Sequence, residues 1–69
     1  MTVEAEETLM RLPAVLQRTG LSRSVLYAAV KRGKFPPPVK LSERCAAWPA
    51  SEVAQWIDAR IKTGRAWVA

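Results

Sequence analysis

The sequence predicts a mainly α-helical domain with a small β-hairpin, arranged as a winged helix-turn-helix. Three observations predict this fold. Two short amphipathic helices flank a Gly-containing turn in Leu12 to Gly33, two short strand-like runs follow three consecutive prolines, and a third amphipathic helix comes after them. The 69 residues suffice for one domain with a small core, since a chain of this size buries only about 60% of its unfolded surface.

The first predicted helix begins near Pro13 and ends at Gly20. Proline suits the first helical position because its missing N–H has no intrahelical partner there, and glycine accepts the left-handed backbone of a C-terminal cap. One stripe at helical spacing is expected to face the core: Leu12, Val15, Leu16 and Thr19.

The second predicted helix begins after Ser22, a good N-cap, and ends at Gly33. Its apolar face consists of Val25, Leu26, Ala29 and Val30. The other face is mostly cationic and hydrogen-bonding and consists of Arg23, Ser24, Tyr27, Ala28, Lys31 and Arg32. That face is either an ordinary solvated surface or a recognition surface for the DNA major groove, and its position just after a Gly-containing turn favours recognition.

A proline arm follows, because Pro36–Pro38 cannot continue a helix or occupy a central strand. Phe35 beside it is predicted to be a core anchor. Val39–Leu41 and Ala46–Trp48 have strand character and are separated by Ser42–Cys45, a plausible hairpin connection. This hairpin is the predicted wing.

Two basic residues of the wing, Lys40 and Arg44, are placed to reach phosphate or the minor groove. The alternative is that they are solvated surface charges.

The third predicted helix starts at Pro49 or Ser51 and ends at Gly64. Its apolar face consists of Val53, Trp56, Ile57 and Ile61. Trp48 and Trp56 are predicted to lie in the core rather than to stack on bases.

The predicted domain therefore covers residues 8–63, between a flexible leader at 1–7 and a C-terminal tail at 64–69. Thr8–Leu12 is expected to contain a brief extended segment. Trp67 in the tail has three possible placements, on the core, in solvent or against a second subunit, and the sequence does not choose among them.

The charge distribution indicates a polyanionic partner, most commonly nucleic acid. The net charge is +5 and the isoelectric point is about 10.2. The acids Glu4, Glu6 and Glu7 crowd the N-terminus, whereas Glu43 is the one acid between Arg11 and Pro49.

The residue inventory argues against an enzyme and predicts no metal or cofactor. The chain has no histidine, no Gly-rich phosphate loop, and one cysteine, Cys45, which has no partner for an intramolecular disulfide and is interpreted as a small filler beside the hairpin. A single cysteine fits a reducing cytoplasm. The sequence has neither a membrane-length apolar run nor a signal peptide.

Taken in order, these segments resemble the AlpA family of prophage transcriptional regulators and, more broadly, winged-helix excisionases with a MerR-like fold. The resemblance covers about residues 9 to 63. The residues that support it are Arg11-Leu12-Pro13, Thr19 to Ser24, Leu26-Tyr27, Lys31 to Pro36, Pro38 to Leu41, Arg44, Trp48, Ser51-Glu52-Val53 and Trp56.

The resemblance implies a cytoplasmic double-stranded-DNA-binding regulator of a prophage or genomic island, acting for example on an integrase gene. By matching position, Ser22, Arg23, Ser24, Tyr27 and Lys31 would face the major groove, with Lys40 and Arg44 on the wing. Integrase or RNA polymerase are further possible partners, and copies could assemble cooperatively on DNA.

Two other functions stay open: an excisionase that binds and bends attachment-site DNA, and, more remotely, an interaction module for an acidic protein. Two departures from the family pattern bear on DNA binding. Ser42-Glu43 stands at the wing tip, where relatives commonly have glycines, and the Glu43 carboxylate is unfavourable near phosphate. Ala28 stands where relatives often have a basic residue.

Overall fold

A computed structural model describes the backbone of residues 7–68 and the side chains of residues 7–64. Within this part of the chain the elements follow in the order β1 (Leu9–Met10), α1 (Leu12–Thr19), α2 (Arg23–Lys31), β2 (Val39–Ser42), β3 (Cys45–Pro49) and α3 (Ala50–Val68). The predicted leader, apart from Glu7, and the side chain of Trp67 lie outside the described residues. No helix in the described part is long and apolar enough to cross a membrane.

The turn between α1 and α2 has the predicted chemistry. Gly20 adopts a left-handed backbone with φ of 78°, and its N–H donates to the Leu16 carbonyl at 2.8 Å. Ser22 caps α2, because its hydroxyl accepts from the Val25 N–H at 3.3 Å. Both helix boundaries predicted at this turn are confirmed.

The end of α2 is a Schellman cap at Gly33, whose φ is 75°. The N–H of Gly33 donates to the Val30 carbonyl at 3.0 Å, and the N–H of Lys34 donates to the Ala29 carbonyl at 2.8 Å. These two bonds satisfy carbonyls that the last helical turn would otherwise leave without a donor. The chain then turns sharply into the proline arm.

The predicted hairpin forms from β2 and β3, and β1 pairs on the other side of β3. The order in the described sheet is β1-β3-β2, with both pairs antiparallel. Met10 lies opposite Trp48, whereas Lys40 lies opposite Ala46 and Ser42 opposite Cys45. Between the last two pairs β2 advances by two residues and β3 by one, so Leu41 is an extra residue at a bulge.

The core lies between α1, α2, the sheet and the first half of α3. Its buried residues form one cluster: Val15, Leu26, Phe35, Trp48 and Val53. Phe35 contacts both Trp48 and Trp56 edge-on, with ring centroids 6.4 and 4.9 Å apart. The predicted core roles of Phe35 and Trp48 are confirmed, and Trp56 is half-buried against the cluster.

The two tryptophans also fix the proline arm through their indole N–H groups. Trp48 donates to the Pro36 carbonyl at 2.8 Å, and Trp56 donates to the Lys34 carbonyl at 2.8 Å. Because the indole N–H of the buried Trp48 needs an acceptor, the arm supplies one in the Pro36 carbonyl. The segment between α2 and β2 is thereby held without regular secondary structure.

The predicted core positions of Val25 and Ile61 are wrong. Val25 is 52% exposed. The next residue, Leu26, points into the core, and successive residues of a helix are about 100° apart around its axis, so Val25 points away from the core. Ile61 is 46% exposed, and every other residue of α3 from Asp58 to Gly64 is exposed as well. The second half of α3 has none of the described core beneath it.

The predicted end of the third helix and the predicted extent of the leader also need correction. Gly64 does not end α3, which continues to Val68, and its φ is not positive as a left-handed cap would require. A glycine inside a helix costs only about 1 kcal/mol relative to alanine, which the helix formers around it tolerate. Glu7, assigned to the leader, is hydrogen-bonded to Ser51 of α3.

Candidate nucleic-acid interface

One face of the domain has a groove between α2 and the hairpin, with a volume of about 440 Å³. We call it the wing groove. It is lined by Arg11, Leu12, Pro13, Arg23, Tyr27, Lys40, Glu43, Arg44, Ala46 and Trp48. Four of the predicted binding residues, two from α2 and two from the wing, therefore lie around one concave surface.

The α2 side of the wing groove presents Arg23 and Tyr27, which are four residues apart and share one flank of the helix. Both side chains are exposed, and Tyr27 has 45% of its surface accessible. A guanidinium and a phenol at this spacing supply several donors along the axis of a helix.

The wing side of the groove is built on the two-residue turn Glu43-Arg44. The Lys40 ammonium donates to the backbone carbonyl of Glu43 at 2.9 Å, so it closes the turn with one of its three donors. Arg44 follows Glu43 in the turn at the tip. The tip therefore bears two cations and one acid, and its attraction for phosphate is weaker than that of a wing without the acid.

Arg11 lines the same groove, and the sequence prediction did not include it among the binding residues. It precedes α1, twelve residues before Arg23, and the pairing of β1 with β3 carries it to the wing. In the local sequence, its positive charge two residues before Pro13 is the one indication of a binding role, and it does not reveal which surface the side chain joins.

The remaining predicted residues have different positions. Ser24 and Lys31 project from the exposed ridge of α2, where at about 100° per residue they lie within about 20° of each other and beyond the flank of Arg23 and Tyr27. Ser22 is exposed and its hydroxyl oxygen caps α2. Its O–H remains available as a donor.

Arg32 does not join the wing groove. It lines a second groove of about 470 Å³ between α2 and α3, which we call the α3 groove. This groove is lined by Leu21, Val25, Ala28, Ala29, Arg32, Lys34, Trp56 and Arg60. The predicted binding residues thus divide between two flanks of α2 and the ridge between them.

The cations of both grooves have no carboxylate partner among the described residues. Asp58 and Lys62 form the one ion pair there, at 3.2 Å on the exposed surface of α3. No buried polar or charged side chain occurs in the described part of the chain, so these cations point to solvent. An unneutralised cationic surface of this kind attracts a polyanion.

The site offers no chemistry for metal binding in the region that the structure describes, where no group of three or more Cys, His, Asp and Glu side chains converges. Cys45 is half-buried and its thiol is free. Cys45 does not line either groove. Both grooves are lined by cationic and hydrogen-bonding side chains, which suit binding through charge and hydrogen bonds.

Comparison with known proteins identifies a family whose sequence model, described as "Prophage CP4-57 regulatory protein (AlpA)", matches residues 8–61. The match spans β1 to the exposed part of α3. It therefore includes all the elements that form the two grooves.

Two relatives are similar over most of the chain. Protein ORF88 of Enterobacteria phage P4, which has no stated function, is 43% identical over 56 residues, covering 81% of this chain and 64% of that protein. The DNA-binding transcriptional activator AlpA of Escherichia coli strain K12 is 30% identical over 60 residues, covering 78% of this chain and 86% of that protein. The chain thus spans just under two thirds of the phage P4 protein. No solved structure matches the chain.

Proposed function

The chain belongs to the AlpA family of prophage regulatory proteins, and from that premise we propose that it binds specific double-stranded DNA sequences and regulates transcription from a prophage or genomic island. The observation that supports the proposal best is the wing groove, in which Arg23 and Tyr27 of α2 face Lys40 and Arg44 of the wing. A helix and a hairpin with cations on one face match the shape and charge of a duplex.

In the proposed complex α2 enters the major groove with its exposed ridge toward the bases. A helix with its side chains is about 10–12 Å across and the groove is about 12 Å wide, so one helix fills it. Ser24 and Lys31 then point at base edges, whereas Arg23 and Tyr27 face the backbone on the wing side. Arg and Lys recognise the N7 and O6 acceptors of guanine, and Ala28 offers its methyl group to a thymine methyl.

The wing contacts the sugar-phosphate backbone in this proposal rather than inserting deeply into the minor groove. Glu43 stands at its tip, and a carboxylate near phosphate is repelled. Lys40 and Arg44 contribute charge and orientation, which position the protein without reading sequence.

The biological assignment extends from the family. We place the protein in the cytoplasm with an integrase gene or a neighbouring operon as its target, and with RNA polymerase or the integrase as protein partners. Several copies binding side by side on DNA would account for specificity from so small a domain.

The first experiment captures host genomic fragments on the purified protein at near-physiological salt and sequences those retained. Enrichment of a promoter region supports the regulator. Enrichment of clustered repeats beside an attachment site, with bending of that DNA, would assign the chain to recombination directionality instead. Absence of duplex binding even at low salt contradicts DNA binding altogether and favours an acidic protein partner.

The retained duplex then tests the recognition helix. We expect Lys31→Ala to cost about 1–3 kcal/mol of binding free energy through a lost base contact, and Arg23→Ala to weaken binding about equally for all sequences through a lost backbone contact. Arg18→Ala is the matched control, because it removes an exposed arginine from the end of α1 that lines neither groove. Equal affinities for all three variants would remove α2 from the interface.

A further inference from the structure

The α3 groove contains three cations from three different segments: Arg32 at the end of α2, Lys34 in the turn after it, and Arg60 in α3. Its apolar floor includes Val25 and Trp56. No carboxylate of the described residues forms an ion pair with these cations. The groove therefore concentrates positive charge on a side of α2 that the wing does not reach.

The two grooves lie on opposite flanks of α2. Arg23 and Arg32 are nine residues apart, which at about 100° per residue places them about 180° apart around the helix axis. Tyr27 and Val25 are separated in the same way by about 160°. The ridge with Ser24 and Lys31 lies between the flanks.

Insertion of α2 into a major groove gives each flank a different neighbour. The walls of that groove are the two sugar-phosphate strands, about 12 Å apart, and a helix with its side chains is about as wide. When Arg23 faces one strand, Arg32 faces the other. The strand beside Arg32 then lies along the α3 groove.

Arg60 is held in position by the fold rather than by a counter-ion. Its guanidinium lies 5.6 Å from the centroid of the Trp56 ring, a cation–π contact. The Trp56 indole N–H donates to the Lys34 carbonyl at 2.8 Å. The backbone at Lys34 is fixed in turn by the helix cap, through its N–H bond to Ala29. One linked set of contacts therefore orients Arg60 and the Lys34 backbone toward the same groove.

We propose that the α3 groove binds the phosphate backbone of the DNA strand opposite the one that the wing contacts, with Arg32, Lys34 and Arg60 as its phosphate ligands. This inference rests on the proposed function and extends it, because α3 becomes part of the DNA-binding surface. The domain then contacts the phosphates of both strands that border the major groove. Contacts on both strands fix the rotation of α2 about its own axis, and with it the register of Ser24 and Lys31 on the bases.

The test compares Arg60→Gln with Arg18→Gln, which removes the same charge from an exposed arginine at the end of α1 that lines neither groove. The probe is a short mixed-sequence duplex titrated at several salt concentrations. We expect the slope of log affinity against log salt to become shallower by about one unit in Arg60→Gln and to stay unchanged in Arg18→Gln. Arg60→Lys, which keeps the charge, is expected to retain the wild-type slope.

The strand assignment is tested on a captured duplex in which single phosphates are replaced by neutral methylphosphonates. Wild-type binding is expected to weaken at two clusters of positions, one on each strand. Arg60→Gln should lose sensitivity at one cluster, and Arg23→Ala at the cluster on the other strand. Circular dichroism and thermal unfolding confirm that both variants are folded.

If Arg60→Gln and Arg32→Gln bind like the wild type while Arg23→Ala does not, the inference is wrong and the proposed function stands. Loss of binding to an acidic protein in these two variants, with duplex affinity unchanged, would assign the groove to that protein. If the wild-type chain binds no duplex, both the inference and the proposed function fail.

Discussion

The Glu7 carboxylate caps the first turn of α3 from 44 residues away in the chain, accepting from the Ser51 hydroxyl at 2.5 Å and from the Ser51 N–H at 3.3 Å. The carbonyl of Thr8 accepts from the Ala50 N–H at 2.7 Å beside it. A helix start leaves backbone N–H groups without partners and favours negative charge. The start of the described chain and the start of α3 therefore stabilise each other.

This cap makes stability depend on pH. The hydrogen bond from the Ser51 hydroxyl, followed by that from the Thr8 N–H, lowers the pKa of Glu7, because both favour the charged carboxylate. Because the pKa of Glu7 is lower in the folded state than in the unfolded state, its ionisation stabilises the folded state at pH values above the ordinary glutamate pKa. This stabilisation is lost as the pH falls through the folded-state pKa. We expect Glu7→Gln to lower the melting temperature at neutral pH.

Thermal unfolding followed by circular dichroism at several pH values checks this prediction. The difference between Glu7→Gln and the wild type should shrink as the pH falls below the glutamate range. Glu43→Gln is the control, since the Glu43 carboxylate makes no hydrogen bond within the described residues. A difference that is constant with pH would show that the cap does not depend on ionisation.

Truncation of two adjacent residues of α2 should change stability by very different amounts. Leu26 is fully buried, so Leu26→Ala is expected to cost about 2–5 kcal/mol of unfolding free energy through lost burial and a cavity. Val25 is 52% exposed, and alanine has the better helix propensity, so Val25→Ala should change stability by less than about 1 kcal/mol. Urea denaturation measures both, and equal costs would contradict the observed orientation of the helix.

The two glycines at Gly20 and Gly64 provide a second matched pair. Gly20 has a φ of 78°, so Gly20→Ala is expected to cost about 1–2 kcal/mol although no atom obstructs the added methyl group. Gly64 lies inside α3 in open space, so Gly64→Ala should stabilise the protein by up to about 1 kcal/mol. Destabilisation by Gly64→Ala would instead support a helix end at that position.

Arg11 should behave as a phosphate contact of the wing groove if the chain binds DNA as proposed. We expect Arg11→Ala to weaken duplex binding about equally for all sequences and to make the salt slope shallower by about one unit. Arg18→Ala removes the same charge outside both grooves and should leave the slope unchanged. A sequence-dependent loss in Arg11→Ala would indicate a base contact.

Local features of the fold were predictable because neighbouring residues determine them. Gly20 and Gly33 permit left-handed backbone, Ser22 offers a cap, and Pro36–Pro38 exclude helix and central strand, whatever the rest of the chain does. These signals led to the helix-turn-helix, the hairpin and the third helix. They also led to the family, which the match over residues 8–61 shows.

The surface arrangement required the tertiary structure, because it depends on pairings between distant segments. The pairing of β1 with β3 brings Arg11 to the wing, and the packing of α3 against β3 and α1 places Arg60 in the same groove as Arg32. Helical periodicity assigned Val25 and Ile61 to apolar faces. Periodicity does not indicate how far the core extends beneath each face, and both residues lie outside the core.

The sequence alone thus determined the elements, the caps at Gly20, Ser22 and Gly33, and the family of this protein, since short-range backbone preferences and ordered motifs specify them. Only the tertiary structure decided which cations share a groove, which flank of α2 each groove occupies and how Glu7 meets α3. The physical reason is that these relationships arise from long-range packing around a small core. The orientation of α2 in that core follows from the burial of Leu26 and from contacts that no single segment contains.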